Sequence, residues 1–390
     1  MPLPTIDYLD WIEGRPESVE HDLGSSDLRG AAARDPDVVV PERLAGLPDP
    51  DPDGVTVREA VAATYEVSPG NVLVTAGASL ANAVAAATAL DEADPAPDAA
   101  ASTAEDHLAV LKNGFDPPGS VLVEKPAYEP LVDTPQLFGA RVDRFPRRAS
   151  TDWRLDPERT EAALVDDTAL VTVTNRHNPT GRLTARETLA EAAAAAGAHD
   201  ARLLVDEVYA PYVLPAGDDD AEHAFGGVTA AGLDDTVVTG SLTKFHGLGG
   251  LGVGWLIADE AFVERAERVG RHFPSLPGPS RALGRRALAN REVLERDSRD
   301  LLGRNADLLA TFVEERADLA GPVYEGSSYA LLSHERADGD AIAETALDRG
   351  LLVVPGRFFE TPDRFRVSLG RDSVHVREAL GVLGDVCDDL

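Results

Sequence analysis

Short apolar runs alternate along this chain with longer segments in which apolar residues recur at helical spacing. Such runs are typical of buried strands, and they cover Val72–Gly77, Ser120–Glu124, Arg141–Phe145, Ala169–Thr174, Arg202–Val205, Thr236–Gly240 and Val253–Ala258. Their alternation with helices predicts an α/β fold built on a doubly wound sheet. In such a sheet a ligand binds beyond the carboxyl ends of the strands.

The segments between these runs carry helix signals. Val55–Tyr65 shows helical apolar spacing, and the alanine-rich stretch Ala78–Leu90 is a strong helix former. Thr184 and Glu187 have the spacing of a capping box, which predicts a helix that begins at Thr184 and ends at Gly197.

A chain of 390 residues is long enough for two domains, each with its own core. The pattern divides it into an amino-terminal arm (1–35), a large domain (36–279), an interdomain helical region (280–319) with kinks just before it, and a small α+β domain (320–390). An acidic stretch at 91–119, with a short helix near Glu105–Leu111, is typical of a solvated surface excursion.

Candidate site residues, most of them polar or aromatic, lie where the predicted strands end. They are Gly77, Ala78, Ser79, Tyr128, Asn178, Asp206, Tyr209, Ser241 and Lys244. Asp206 follows an apolar run, where a carboxylate cannot stay buried without a partner, although capping a helix is an alternative role for it. Gly77 opens a helix whose first N–H groups suit a phosphate, although many strand-to-helix junctions share this sequence without binding one.

Lys244 is one of only three lysines in the chain, with Lys112 and Lys125. Desolvation at the end of an apolar strand favours a neutral amine, and such an amine can attack an aldehyde to form a Schiff base. The alternative is a lysine whose ammonium extends from the strand end to the surface.

The chain carries a formal net charge of −32, with abundant aspartate and scarce lysine. An acidic surface keeps a protein soluble in concentrated salt, so we expect a halophilic protein, the alternative being an acidic protein of an ordinary cell. The sequence has no basic stripe that could neutralise phosphates, which argues against nucleic acid as a partner.

Targeting features are missing from the sequence. The single cysteine, Cys387, excludes an intrachain disulfide. No apolar run reaches the roughly 18 residues of a membrane span. The first residues lack the basic and long apolar regions of a signal peptide, so we expect a cytoplasmic protein without a membrane partner.

Six motifs follow one another in a recognisable order. They are Gly77-Ala-Ser79, Pro126-x-Tyr128, Asn178-Pro-Thr-Gly181, Asp206-x-x-Tyr209, Ser241-x-x-Lys244 and Arg366-x-Ser368. This order resembles the class I/II pyridoxal-phosphate-dependent aminotransferases of fold type I, over about residues 20–388. The resemblance implies a seven-stranded, mostly parallel sheet, a small carboxy-terminal domain, a homodimer, and no metal ion. It also makes 36–279 the domain that binds the cofactor, pyridoxal 5'-phosphate.

The resemblance assigns the catalytic roles. Lys244 would carry the cofactor and later move a proton, and Asp206 would keep the pyridine nitrogen protonated. Asn178 and Tyr209 would hydrogen-bond the phenolic oxygen, and Tyr128 would stack on the ring.

The resemblance also assigns the binding of the phosphate and of the substrate. Gly77, Ala78 and Ser79 would bind the phosphate with Ser241. In the substrate half, Arg366 would bind the carboxylate of an amino acid or a 2-oxo acid, a role that guanidinium geometry suits. Gly24, Asn178 and, more weakly, Asn175 are further candidates there, and an Arg366 on the surface of a strand is the alternative.

The sequence departs from the family pattern in two places. Many relatives have an arginine that grips the phosphate where this chain has Gly252, and many have a tyrosine where this chain has the run Pro48–Asp53. His246 is a candidate phosphate donor in their place.

The sequence favours an aminotransferase, and two alternatives stay open. A decarboxylase, lyase or cyclising enzyme of the same fold would use the same cofactor, and loss of the phosphate arginine favours it slightly. A binding protein that has kept only the fold is the other, and the intact Lys244, Asp206 and Asn178 argue against it.

Overall fold

The computed structural model describes residues 4–28, 40–51, 54–93, 119–209 and 228–390. The predicted helix near Glu105–Leu111, and most of the acidic stretch around it, lie outside these residues. Over the described ranges, no helix is both long and apolar enough to cross a membrane.

A short strand, β1 (His21–Asp22), precedes a sheet of seven strands among the described residues. The seven are β2 (Val72–Thr75), β3 (Ser120–Lys125), β4 (Arg141–Pro146), β5 (Thr168–Thr174), β6 (Arg202–Asp206), β7 (Thr236–Ser241) and β8 (Gly254–Ile257). Their order is β2-β8-β7-β6-β5-β3-β4, and β8 alone runs antiparallel to its neighbours. The predicted α/β class and mostly parallel sheet are therefore confirmed.

The helices surround this sheet and continue towards the carboxyl terminus. They are α1 (Asp7–Ile12), α2 (Arg15–Ser18), α3 (Val57–Thr64), α4 (Ala78–Ala93), α5 (Glu129–Asp133), α6 (Pro157–Glu161), α7 (Arg186–Gly197), α8 (Glu260–Gly270), α9 (Gly278–Ala289), α10 (Arg291–Glu314), α11 (Gly339–Asp348) and α12 (Ser373–Asp389).

Helices cover both faces of the sheet. Successive strand residues point to opposite sides, so each strand can bury apolar side chains on both faces. On β6, Leu204 packs with apolar residues of α4 and α8, whereas Val205 packs with those of α3 and α7. A strand covered on both faces needs a continuous apolar run, and such runs made these strands visible in the sequence.

The predicted capping box at Thr184 is wrong. Helix α7 begins at Arg186, its N-cap is Ala185, and no side chain caps it. Thr184 is buried, and its hydroxyl accepts a hydrogen bond from Arg147 Nη2 at 3.3 Å. The Thr184 hydroxyl is thus directed towards Arg147 and makes no bond to the start of α7.

The helical region predicted at 280–319 contains two helices. Helix α9 ends at Ala289, Asn290 interrupts the helical region, and α10 then runs from Arg291 to Glu314. The predicted kinks correspond to a real gap between α8 and α9.

A second, antiparallel sheet forms near the carboxyl terminus. It contains β9 (Leu319–Ala320), β10 (Tyr329–His334), β12 (Val354–Pro355) and β13 (Phe365–Ser368), while β11 (Leu351–Leu352) pairs in parallel with β1. This pairing holds the amino-terminal segment against the carboxy-terminal part. The boundaries at 36, 280 and 320 stay predictions.

Candidate active site

A cavity of about 330 Å³ opens at the carboxyl ends of β5, β6 and β7. Ten predicted residues line it: Gly77, Ala78, Ser79, Tyr128, Asn178, Asp206, Tyr209, Ser241, Lys244 and Arg366. Gly24 does not line the cavity, but its carbonyl oxygen accepts a hydrogen bond from Arg366 Nη2 at 3.2 Å. The expected convergence at one sheet edge is therefore present.

A larger cavity, of about 690 Å³, lies at the opposite edge of the sheet. It is lined by residues that precede β2 and β7, including Glu66, Asp234 and Asp235. None of the predicted site residues reaches it, so the smaller cavity is the candidate active site.

Asp206 ends strand β6 and is only 4 % exposed. Its Oδ1 accepts the backbone N–H of Val208 at 3.1 Å, and its Oδ2 accepts Asn82 Nδ2 at 2.9 Å. Burial raises the pKa of the Asp206 carboxyl above its ordinary value, because its effect exceeds the opposing effects of these two hydrogen bonds and of the charge of Lys244. The carboxylate is thus held in place from the protein side and still faces the cavity.

Lys244 follows strand β7, and its Nζ donates to Asp27 Oδ1 at 2.6 Å and to Ser26 Oγ at 3.1 Å. Burial is the largest single influence and disfavours the ammonium, but the charge and hydrogen bond of Asp27, together with Tyr209 and Tyr128, outweigh it and raise the pKa of Lys244 above its ordinary value. The expectation that desolvation leaves a neutral amine is therefore wrong for this structure. Asp27 lies 217 positions away, so the local sequence could not reveal the pair.

Arg366 lies on β13 with its side chain buried. Its Nη1 donates to Asn178 Oδ1 at 2.9 Å, and its Nη2 donates to the Tyr8 hydroxyl at 3.2 Å as well as to Gly24. Its Nε makes no hydrogen bond, and no carboxylate pairs with it, within the part of the chain that the structure describes. A buried cation without a counter-ion is costly, so this guanidinium is suited to an anionic ligand.

Tyrosine rings form much of the remaining wall. Tyr128 precedes α5, and its ring lies edge-on to Tyr8 with 5.9 Å between centroids. Tyr209 lies edge-on to Tyr329 at 5.0 Å. These contacts fix the rings and give the cavity flat apolar surfaces beside its charged groups.

The predicted phosphate end combines backbone and hydroxyl groups. Gly77 has a φ of +90°, a conformation that glycine adopts without strain, and α4 begins directly after it. Ser241 Oγ accepts the backbone N–H of Thr243 at 3.2 Å, so its hydroxyl hydrogen is available to a ligand.

Two weaker candidates are corrected by their positions. His246 is 1 % exposed and outside the cavity, and burial, with nearby arginines, lowers its pKa to about 3. Because it lies outside the cavity, His246 is not placed to bind the phosphate. Asn175 also lies outside the cavity. Its Oδ1 accepts the backbone N–H of Thr184 at 3.0 Å.

Several residues that line the cavity were not predicted from the sequence: Tyr8, Ser26, Asp27, Asn82 and Thr243. Tyr8 and Asp27 come from the amino-terminal segment and reach the site only through the tertiary fold. Asn82 could have been found, because it follows Ser79 by three positions and so shares its face of α4.

Comparisons with known proteins identify the family of this chain. A family model described as aminotransferase class I and II matches residues 99–383. The chain belongs to the class I and II aminotransferases. Enzymes of this family and fold depend on pyridoxal 5'-phosphate, so the chain is a pyridoxal-phosphate-dependent aminotransferase.

Individual relatives of this aminotransferase differ in their substrates. A histidinol-phosphate aminotransferase of Halobacterium salinarum is 28 % identical over 282 residues, which are 70 % of this chain and 72 % of that protein. An arginine–pyruvate transaminase of Pseudomonas aeruginosa is 29 % identical over 161 residues, 41 % of this chain and 40 % of that protein. A solved aminotransferase from Streptococcus suis is 20 % identical, has a TM-score of 0.78, and matches 100 % of this chain over 99 % of its own.

The residues of this aminotransferase fit the cofactor chemically. Asp206 would offer a buried carboxylate to a protonated ring nitrogen, Lys244 would offer its amine, and the start of α4 would offer N–H groups to a phosphate. When bound, pyridoxal phosphate supplies an aldehyde and a ring that accepts electrons.

Gly254→Ala tests whether the start of α4 holds the cofactor. A Cβ at Gly254 would lie 2.3 Å from the carbonyl carbon of Gly77 and 2.6 Å from the nitrogen of Ala78. Such overpacking shifts the backbone, and we expect cofactor affinity to fall by about tenfold or more. Absorbance titration of the apoprotein with pyridoxal phosphate measures it.

Gly250→Ala is the matched control in the same glycine-rich segment, because a Cβ there meets no atom within 4 Å. Circular dichroism should show both variants folded. Equal affinities for the cofactor would contradict the role given to Gly77 and Ala78.

Proposed function

We propose that this aminotransferase exchanges an amino group between an amino acid and a 2-oxo acid in a ping-pong cycle. The observation that supports it is the sharing of one cavity by Lys244, Asp206 and the buried Arg366, which has no carboxylate partner among the described residues. These groups suit an aldehyde, a ring nitrogen and a carboxylate respectively.

Lys244 is proposed to carry the cofactor and to move the proton of the substrate's α-carbon. Its ammonium is held by Asp27 and Ser26, two groups at the rim of the same cavity. Once this ammonium has lost its proton, the neutral amine can accept and return a proton at the reacting end of the site.

Asp206 is proposed to hold the proton of the ring nitrogen. Its two oxygens each accept one hydrogen bond from the protein, which leaves lone pairs for a further donor. A protonated ring withdraws electrons more strongly, and this is the main catalytic service of the carboxylate.

Asn178 and Tyr209 are proposed to bind the phenolic oxygen of the cofactor. Arg366 donates to Asn178 Oδ1, so the amide nitrogen of Asn178 remains available as a donor. Tyr128 is proposed to cover the ring, and Ser241 joins the start of α4 at the phosphate.

Arg366 is proposed to bind the substrate carboxylate. Since hydrogen bonds to charged groups are worth about 1.5–3 kcal/mol each, Arg366→Ala should lower kcat/KM for amino acids by roughly a hundredfold. Steady-state kinetics measure this, and Arg366→Lys should recover only part of the loss.

A primary amine without a carboxylate provides the control substrate. Its slow reaction should be unchanged by Arg366→Ala, because it has no group for the guanidinium to bind. An equal loss for both substrate types would mean that Arg366 supports the fold rather than the carboxylate.

The half-reaction tests the proposed reaction. The holoenzyme is mixed with single amino acids in high salt, and its absorbance should change from that of the pyridoxal form to that of the pyridoxamine form. Release of carbon dioxide or of a thiol would favour the decarboxylase or lyase instead. Protein that stays colourless with added cofactor would favour a binding protein.

The wider setting is proposed from the sequence. A net charge of −32 and scarce lysine support a halophilic, cytoplasmic enzyme with an acidic surface. A homodimer follows from the family, whose sites lie between subunits. Light scattering across a range of salt concentrations tests both, and a monomer that is fully active in dilute buffer would contradict them.

A further inference from the structure

Asn82 lies between Asp206 and a hydroxyl group on the next strand. Its Nδ2 donates to Asp206 Oδ2 at 2.9 Å, and its Oδ1 accepts from Thr239 Oγ1 at 2.6 Å. Thr239 is fully buried on β7, and Asn82 lines the cavity from helix α4. The amide group of Asn82 thus connects helix α4 with strands β6 and β7.

The orientation of this amide follows from its partners. The carboxylate of an ionised Asp206 can only accept, so it must face the NH₂ group of Asn82. The amide oxygen then faces Thr239, whose hydroxyl donates to it. Asp206 therefore sets the orientation of the amide, and Thr239 holds the amide oxygen so that the NH₂ group stays directed at Asp206.

A neutral donor beside a buried carboxylate favours its charged form. Burial acts against this charge, and the hydrogen bonds from Val208 and Asn82 act for it. The charged and titratable groups around Asp206 are Lys244, Glu207, Tyr65, Tyr128 and Tyr329. Lys244 donates to Asp27 rather than to Asp206. Among the described residues, Asn82 is therefore the side chain that hydrogen-bonds Asp206.

We propose that Asn82 is a positioning residue that, through Thr239, keeps Asp206 ionised and aimed at the ring nitrogen of the cofactor. The inference rests on the function proposed above and goes beyond the six motifs, none of which contains either residue. Asn82 acts only through Asp206, so it should matter only when the bound ring has a nitrogen to hold.

The test compares two ligands on the full chain. Apoprotein is titrated with pyridoxal phosphate and with an analogue whose ring nitrogen is replaced by carbon. Asn82→Leu keeps the volume and removes the donor, so its affinity for pyridoxal phosphate should fall by about tenfold to a hundredfold. Its affinity for the analogue should stay within about twofold of the wild type, since that ring gives Asp206 nothing to hold.

Thr239→Val is the second variant, because it leaves Asn82 in place but removes the hydroxyl that donates to its amide oxygen. This variant should weaken the binding of pyridoxal phosphate by a few-fold and leave the binding of the analogue unchanged. Thr88→Val is the matched control, since Thr88 is a buried residue of the same helix whose hydroxyl donates to the carbonyl oxygen of Val84, away from Asp206. It should bind both ligands as the wild type does.

Equal losses for both ligands in Asn82→Leu, or no loss for either, would overturn the inference while the proposed function stood. Wild-type protein that binds neither ligand would instead remove the proposed function, and the inference with it.

Discussion

Lys244→Ala should abolish turnover, with a loss of at least about a thousandfold in the rate of the half-reaction. Lys244 supplies the amine that lies in the cavity with Asp206 and Arg366, and alanine can neither form the covalent link nor move a proton. The cofactor should still bind noncovalently, because the start of α4 and Asp206 remain. Stopped-flow absorbance with a reactive amino acid measures the rate.

Lys125→Ala is the control for this loss. Lys125 ends strand β3, its side chain is 47 % exposed, and it pairs with Glu360 at 2.8 Å outside the cavity. Removing an exposed pair costs little, so activity should be unchanged. Full activity in Lys244→Ala would refute the assignment of the amine.

Asp206→Ala has the second largest expected effect. Removing one partner of a buried charged pair costs about 3–5 kcal/mol, so the half-reaction should slow by roughly a hundredfold to several thousandfold. The loss arises because the ring nitrogen can no longer hold its proton, which weakens the ring as an electron acceptor. Single-turnover kinetics at saturating cofactor separate this effect from weaker binding.

Glu207→Gln is the neighbouring control. Glu207 follows Asp206, does not line the cavity, and its Oε1 accepts the backbone N–H of Ala230 at 2.6 Å. Burial raises the pKa of Glu207 to about 8, so glutamine resembles its protonated form. We expect near wild-type rates for it, and such rates in Asp206→Ala would contradict the account.

The sheet and the position of the site were predictable because both leave local signals. Strands such as β5 and β6 are buried on both faces, so they appear as unbroken apolar runs. The carboxyl ends of parallel strands share one edge, so the sequence alone predicts that Asp206 and Lys244 lie in one site.

The rest depends on tertiary contacts that no local pattern encodes. The bond between Tyr8 and Arg366 spans 358 positions, and the pair of Asp27 with Lys244 spans 217. The prediction of a cap at Thr184 was wrong for a related reason, since the Thr184 hydroxyl accepts a hydrogen bond from Arg147, 37 positions away. Propensity describes what a segment can do alone, and packing decides which partner it finds.

The most direct test of the account is to reduce the holoenzyme with borohydride and to map the modified peptide by mass spectrometry. The chain has only three lysines, so each possible attachment site is resolved by one digest. The cofactor should be found on the peptide that contains Lys244. Attachment at Lys112 or Lys125, or a coloured protein with no modified lysine, would contradict the claim that this amine carries the cofactor.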